Sequence, residues 1–97
     1  MRSVKAFRGT RRSSIYREFV LEDEAFDRIV EAAGLGSLEG ELDKDAARRL
    51  AEDLTELRAS VALPELDDHL TAIAELARWC GRATGEAWLR IEPRTGV

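Results

Sequence analysis

The sequence predicts an α+β fold in which three helices pack on one face of a small antiparallel sheet. Two segments near the N-terminus alternate in polarity as strands do, three later segments repeat apolar residues at helical spacing, and a last short segment alternates again. The order is therefore β-β-α-α-α-β, and strands that bracket a run of helices are typical of this class. A chain of 97 residues is long enough for one domain, which we expect over 1–97.

The first two strands are predicted at 3–7 and 14–21, joined by a hairpin loop that contains Gly9. Both segments are rich in β-branched and aromatic residues. In the second strand, one alternating set is Ile15, Arg17, Phe19 and Leu21, and the other is Tyr16, Glu18 and Val20. Arg17 makes the first set imperfectly apolar near its middle, and an edge position in the sheet would tolerate this charge.

The first helix is predicted within 22–36, because acidic residues crowd its first turn and glycines can end it at 34 or 36. Its apolar stripe is Phe26, Ile29, Val30 and Ala33. Residues 37–42 are predicted to be a connector. The leucines on either side and within it, which we expect to contact the core, are Leu35, Leu38 and Leu42.

The second helix is predicted over 43–63, with Asp43 as its N-cap. Its apolar stripe is Ala47, Leu50, Ala51, Leu54, Leu57 and Val61. Pro64 ends this helix and suits the first turn of a third helix, which is predicted to end at Gly81 or Gly85. The third stripe is Leu66, Leu70, Ile73, Ala74, Ala77 and Cys80, with Leu76 on its flank.

The last strand is predicted at 86–92 and is expected to join the N-terminal hairpin, since a single strand is not stable alone. Its small and aliphatic residues, which we expect to face the helices, are Ala87, Leu89 and Ile91. Trp88 and Arg90 point to the opposite face. Tyr16 is expected on that same outer face, so Trp88 is predicted to be partly exposed within an aromatic patch.

The charge of the chain is strongly segregated. Residues 1–17 carry six basic side chains and no acid, residues 18–68 sum to −11, and the whole chain sums to −4. An overall acidic protein is a poor general binder of nucleic acid, because phosphate contacts need concentrated positive charge. The acidic middle favours association with a basic partner.

No apolar run is long enough to span a membrane, and the N-terminus has no apolar region typical of a secretory signal. The single cysteine cannot form an internal disulfide, which fits a reducing compartment. The chain is rich in Arg and Ala and has Lys44 as its one lysine after the hairpin, a composition typical of bacterial genomes of high GC content. We therefore expect a bacterial cytoplasmic protein.

Candidate catalytic groups are few. His69 is the single histidine, and its neighbours Glu65 and Asp68 are poorly placed to share a metal with it on one helix. Cys80 lies on the same helical face but about 16 Å from His69 at 1.5 Å per residue, too far for a nucleophile and base. The glycines match neither phosphate-binding nor dinucleotide-binding spacing. We therefore predict no enzymatic activity, no cofactor and no metal site.

These observations favour a small protein-binding module, in particular an immunity-like or antitoxin-like inhibitor of a basic bacterial protein. Its predicted contact residues are Tyr16, Trp88 and Arg90, since aromatic and arginine side chains dominate protein interfaces. One alternative is nucleic-acid binding by the basic hairpin, through Arg8, Arg11, Arg12 and Arg17. Another is a homodimer that pairs edge strands about a two-fold axis.

Overall fold

One four-stranded antiparallel sheet organises the computed structural model, which describes residues 1–36, 38–60 and 63–93. The strands are β1 (Arg2–Gly9), β2 (Ser14–Leu21), β3 (Gly40–Asp43) and β4 (Ala87–Pro93), in the order β2-β1-β4-β3. The helices within these ranges are α1 (Asp23–Ala33), α2 (Lys44–Ser60) and α3 (Asp67–Gly81). The predicted α+β class is confirmed, and β4 pairs with β1 as expected.

The short strand β3 was not predicted. Residues 40–42 were expected to belong to a connector and Asp43 to cap the second helix, but all four residues pair with β4 at the edge of the sheet, with Leu42 opposite Leu89. Four residues are too few to show alternation, so no local pattern marked this strand. Leu42 nevertheless packs against the core, as was expected of the connector's leucines.

The hairpin between β1 and β2 has a tight tip. The backbone amides of Thr10 and Ser13 each donate to the other residue's carbonyl, at 3.0 and 3.2 Å, which leaves Arg11 and Arg12 at the tip. Gly9 has φ 117°, and a Cβ there would lie 2.4 Å from the carbonyl oxygen of Ser13, so this position requires glycine. β2 lies at the edge of the sheet, a position that tolerates the charge of Arg17 among its apolar residues.

The helices begin and end close to the predicted residues. α1 ends at Gly34, which adopts a left-handed φ of 67°. Asp43 caps α2, since its Oδ1 accepts a hydrogen bond of 2.8 Å from the amide of Ala46. α3 begins at Asp67, because Pro64–Leu66 form a separate 3₁₀ turn. The second helix was predicted to run to residue 63; residues 61–62 lie outside the described residues, and Leu63 is not helical.

The core lies between the helices and one face of the sheet. Val4 and Ala6 of β1 and Leu89 and Ile91 of β4 are fully or almost fully buried on this face. The predicted helical stripes are buried against them, with Ala33 only partly buried; the buried members are Phe26, Ile29, Val30, Ala47, Leu50, Ala51, Leu54, Leu57, Leu66, Leu70, Ile73, Ala74, Ala77 and Cys80. Among the described residues, the opposite face of the sheet carries no helix, and we call it the open face.

Candidate functional site

Three aromatic rings lie side by side on the open face. The strand register places Tyr16 of β2 and Trp88 of β4 on either side of Phe7 of β1. The rings of Phe7 and Trp88 stack with centroids 5.0 Å apart and planes 6° apart, and Tyr16 follows at 5.6 Å. The three residues form a continuous aromatic row across three strands.

Each ring of the aromatic row has a cation over it. Arg11 lies 4.0 Å from the centroid of Trp88, Arg90 lies 5.1 Å from that of Phe7, and Lys5 lies 5.7 Å from that of Tyr16. These distances are within the range of cation–π attraction. The guanidinium of Arg11 comes from the hairpin tip and covers the indole from the solvent side.

Trp88 is consequently only 5% exposed. Its predicted direction, opposite to Leu89, is confirmed, but its predicted partial exposure is wrong, because Arg11 covers the ring and Phe7 stacks on it. The indole N–H has no acceptor among the described residues. The burial of this ring therefore depends on stacking and not on a hydrogen bond.

Glu41 of β3 holds the arginines of the open face in place. Arg11 donates two hydrogen bonds to its carboxylate, at 2.7 and 3.1 Å, and Arg90 donates a third at 3.1 Å. The hydrogen bond from Arg11, followed by that from Arg90, lowers the pKa of Glu41 below its ordinary value of 4.5. One carboxylate thus links the hairpin tip to β3 and β4.

We expect this network to make stability depend on pH in the acid range. Because the pKa of Glu41 is lower in the folded than in the unfolded chain, its stabilising effect is present above 4.5 and is lost as the pH falls through the lowered value. Glu41→Gln keeps the shape but cannot ionise. Urea denaturation at a series of pH values should show wild type more stable than this variant above about pH 5, and the difference should disappear below the folded pKa.

Glu31→Gln is the matched control, because Glu31 is exposed and forms no ion pair among the described residues. Glu31→Gln should not reproduce the loss of stability that is expected for Glu41→Gln. Equal stability of wild type and Glu41→Gln above about pH 5 would contradict the assignment of this network.

The aromatic row reaches the solvent at the edge strand. Tyr16 is 58% exposed on the open face, and Ile15 is 66% exposed on the helix side of the same strand. β2 is eight residues long and has no strand on its outer side among the described residues. Of the three predicted contact residues, Tyr16 is exposed, Arg90 is half-buried beside Glu41, and Trp88 lies beneath Arg11.

The four arginines predicted for nucleic-acid binding do not share one surface. Arg11 lies on the open face, and Arg12 is exposed at the hairpin tip. Arg8 and Arg17 lie on the helix side, both over the ring of Trp79, at 4.3 and 4.7 Å. The alternation of side chains along β1 and β2 separates these two from Arg11, so the basic segment is not a single basic patch.

The surroundings of Cys80 and His69, the candidate catalytic residues, indicate that both have a role in packing. Cys80 is buried, and burial raises the pKa of its thiol, which disfavours the reactive thiolate. The ring of His69 packs edge-on against Phe19 at 5.6 Å. Within the described residues no group of three or more His, Cys, Asp or Glu could hold a metal ion.

Sequence reasoning missed Phe7, Arg11 and Glu41 as members of the open face. Phe7 could have been found, because it alternates with Ala6 and Arg8 in a predicted strand. Glu41 could not, because its strand was not predicted. The contact between Arg11 and Trp88 joins opposite ends of the chain, and no local spacing reports it.

Comparison with protein-family models, with curated proteins and with solved structures finds no match for this chain. In the part of the chain that the structure describes, none of the helices is long and apolar enough to cross a membrane. The fold and the candidate site thus define an α+β protein with an open sheet face that carries an aromatic row.

Proposed function

We propose that this chain is a non-enzymatic protein-binding module that contacts its partner through edge strand β2 and the adjoining open face. The observation that carries the proposal is the exposure of Tyr16 and Ile15, 58% and 66%, next to each other on an edge strand of eight residues whose outer side carries no strand among the described residues. Exposed edges with large apolar side chains promote pairing with another chain, and stable monomers usually protect them.

The backbone of β2 supports strand addition as the mode of binding. The reciprocal hydrogen bonds of Thr10 and Ser13 set the alternation of the hairpin, so Ser14 and Tyr16 direct their backbone N–H and C=O groups away from β1. An extended segment of a partner could pair with these groups and cover Tyr16 on one face and Ile15 on the other. Trp88 would contribute indirectly, because its ring stacks on Phe7, which in turn contacts Tyr16.

The helices supply a charge that favours a basic partner. The last turn of α1 has no basic residue, and Asp53 and Glu56 of α2 line a groove of about 330 Å³ at this helix end. Glu31, Asp53 and Glu56 form no ion pair among the described residues. Uncompensated acids beside a helix C-terminus attract cations and speed encounter with a basic protein.

The particular form that we propose is an immunity-like or antitoxin-like inhibitor of a basic protein in the bacterial cytoplasm. The acidic helices would guide the encounter, and β2 would provide the contact. A second copy of this chain is the alternative occupant of the same edge. The hairpin arginines give less support to nucleic-acid binding, because they lie on different sides of the sheet.

The test is affinity capture from lysate of the source cell with the tagged wild-type chain, with and without nuclease. Ile15→Glu/Tyr16→Glu places two charges on the edge strand, and Ala59→Glu/Thr84→Glu places the same charges at exposed positions outside the strands and outside the acidic groove. We expect wild type and the control to retain one basic protein in both arms, and the edge variant to lose it.

Retention of that protein by the edge variant would contradict the proposed contact surface. Recovery of nucleic acid that disappears on nuclease treatment would contradict the protein-binding function. If no other protein is retained, light scattering on the purified chain decides the outcome. A wild-type dimer that becomes monomeric in the edge variant would mean that the partner of β2 is a second copy of this chain and not a basic protein.

A further inference from the structure

Four arginines without a carboxylate partner converge on one groove on the helix side. The groove has a volume of about 340 Å³ and is lined by Arg8, Arg17, Glu75, Arg78, Trp79 and Arg82. In the described ranges, none of these arginines has a carboxylate oxygen within 4.0 Å, whereas Arg11, Arg28 and Arg58 do. The lining therefore holds four positive charges against the one negative charge of Glu75.

Neutral groups hold three of these four guanidinium groups in position. Arg8 donates to the carbonyl oxygen of Trp79 from Nε at 3.0 Å and from Nη2 at 2.6 Å, and Arg78 donates to the hydroxyl of Thr55 at 3.1 Å. Arg17 lies over the indole of Trp79. Such partners order the arginines but leave their charges uncompensated, so the groove is arranged in advance for an anion.

The C-terminus of α3 does not account for all of these charges. Cations there satisfy the last carbonyls and the helix dipole. At this helix end, Arg48 donates to the carbonyl of Gly81 at 3.1 Å, and Arg8 donates to that of Trp79 at 2.6 Å. The guanidinium groups of Arg17 and Arg82 donate to no carbonyl among the described residues, so they are additional to what the helix terminus requires.

We propose that this groove binds the phosphate group of a small phosphorylated molecule. A phosphate dianion carries two charges and three strong acceptor oxygens, which matches several guanidinium forks better than a single carboxylate does. The groove lies on the face of the sheet opposite the aromatic row, and binding of an anion there does not require the protein contact that we propose for β2, although Arg17 belongs to that strand.

A neighbouring groove offers room for the rest of such a molecule. It has a volume of about 570 Å³ between α2 and α3, within the range of small-molecule sites, and shares Arg78 and Arg82 with the arginine groove. Ala51 and Ala59 contribute apolar surface, and Glu52 and Glu56 line it as well. These two acids restrict the anion to the end beside Arg78 and Arg82, and they disfavour a long polyanion such as nucleic acid.

The test is an NMR titration of the full ¹⁵N-labelled chain with sodium pyrophosphate and with inorganic phosphate. Sodium acetate and sodium chloride at matched ionic strength are the reference arms. We expect saturable shifts of the Trp79 indole and of the arginine Nε–H signals in the groove. Arg17→Gln/Arg82→Gln should weaken pyrophosphate binding by about tenfold or more, as expected for the loss of charge-assisted hydrogen bonds.

Arg12→Gln/Arg49→Gln is the matched control, since it removes the same charge from exposed positions outside the groove and should change the affinity by no more than about twofold. Arg17 and Arg82 are exposed, so both pairs of substitutions should leave the amide spectrum folded. Shifts that equal those in chloride, or a control that weakens binding as much as the groove variant, would overturn the proposal. Tighter binding of a single-stranded oligonucleotide than of pyrophosphate would overturn the small-molecule ligand.

Discussion

Trp88→Ala is expected to lower the free energy of unfolding by about 3–5 kcal/mol, although Trp88 lies on the open face of the sheet. The indole is 5% exposed, stacks on Phe7 at 5.0 Å and lies under the guanidinium of Arg11 at 4.0 Å. Removing it exposes Phe7 and leaves Arg11 without the surface that it covers. Urea denaturation near pH 7, compared with wild type, measures the loss.

Two further variants separate burial from aromatic character. Trp88→Phe keeps a ring for stacking and sacrifices no hydrogen bond, so it should cost less than Trp88→Ala. Tyr16→Ala removes a ring from the same row where it is 58% exposed and should cost about 1 kcal/mol or less. A loss of similar size for Tyr16→Ala and Trp88→Ala would mean that Arg11 does not cover the indole in solution.

Leu89→Ala is expected to cost about 2–5 kcal/mol, because it creates a cavity in the centre of the core. Leu89 is 0% exposed and lies between Ala6 of β1 and Leu42 of β3 on the face that the helices cover. β4 and its neighbour β1 are each paired on both sides and have little freedom to collapse into the space. Denaturation by urea, with the m-value checked against wild type, measures this change.

Leu89→Met nearly conserves the side-chain volume and should cost less than about 1.5 kcal/mol. Arg90→Ala, at the next position and on the opposite face, should lower stability by about 1 kcal/mol or less, since Arg90 is half-buried and makes one hydrogen bond to Glu41. A tolerated Leu89→Ala would contradict the packing of the helices on this face of β4.

The sequence predicted which face of the sheet carries the candidate site, but it did not predict all the residues that form the site. Alternation along the last strand placed Trp88 and Arg90 opposite to Leu89, and the same rule placed Tyr16 on the open face. It could not report that Trp88 is buried, because the residue that covers the indole is on the hairpin tip at the other end of the chain. It could not report the arginine groove either, since β1, β2 and α3 each contribute to it.

The sequence by itself determined the fold class, the limits of the helices and the face that each element buries. Periodicity, the Asp43 cap and the Gly34 terminus act between residues that are neighbours along the chain, so the pattern already contains them. Only the tertiary structure decided the pairing of β3, the cover over Trp88 and the convergence of Arg17 with Arg82. Strand register and cation–π contacts join residues that are distant in sequence, and their free energies depend on a geometry that exists only after the sheet and helices have packed.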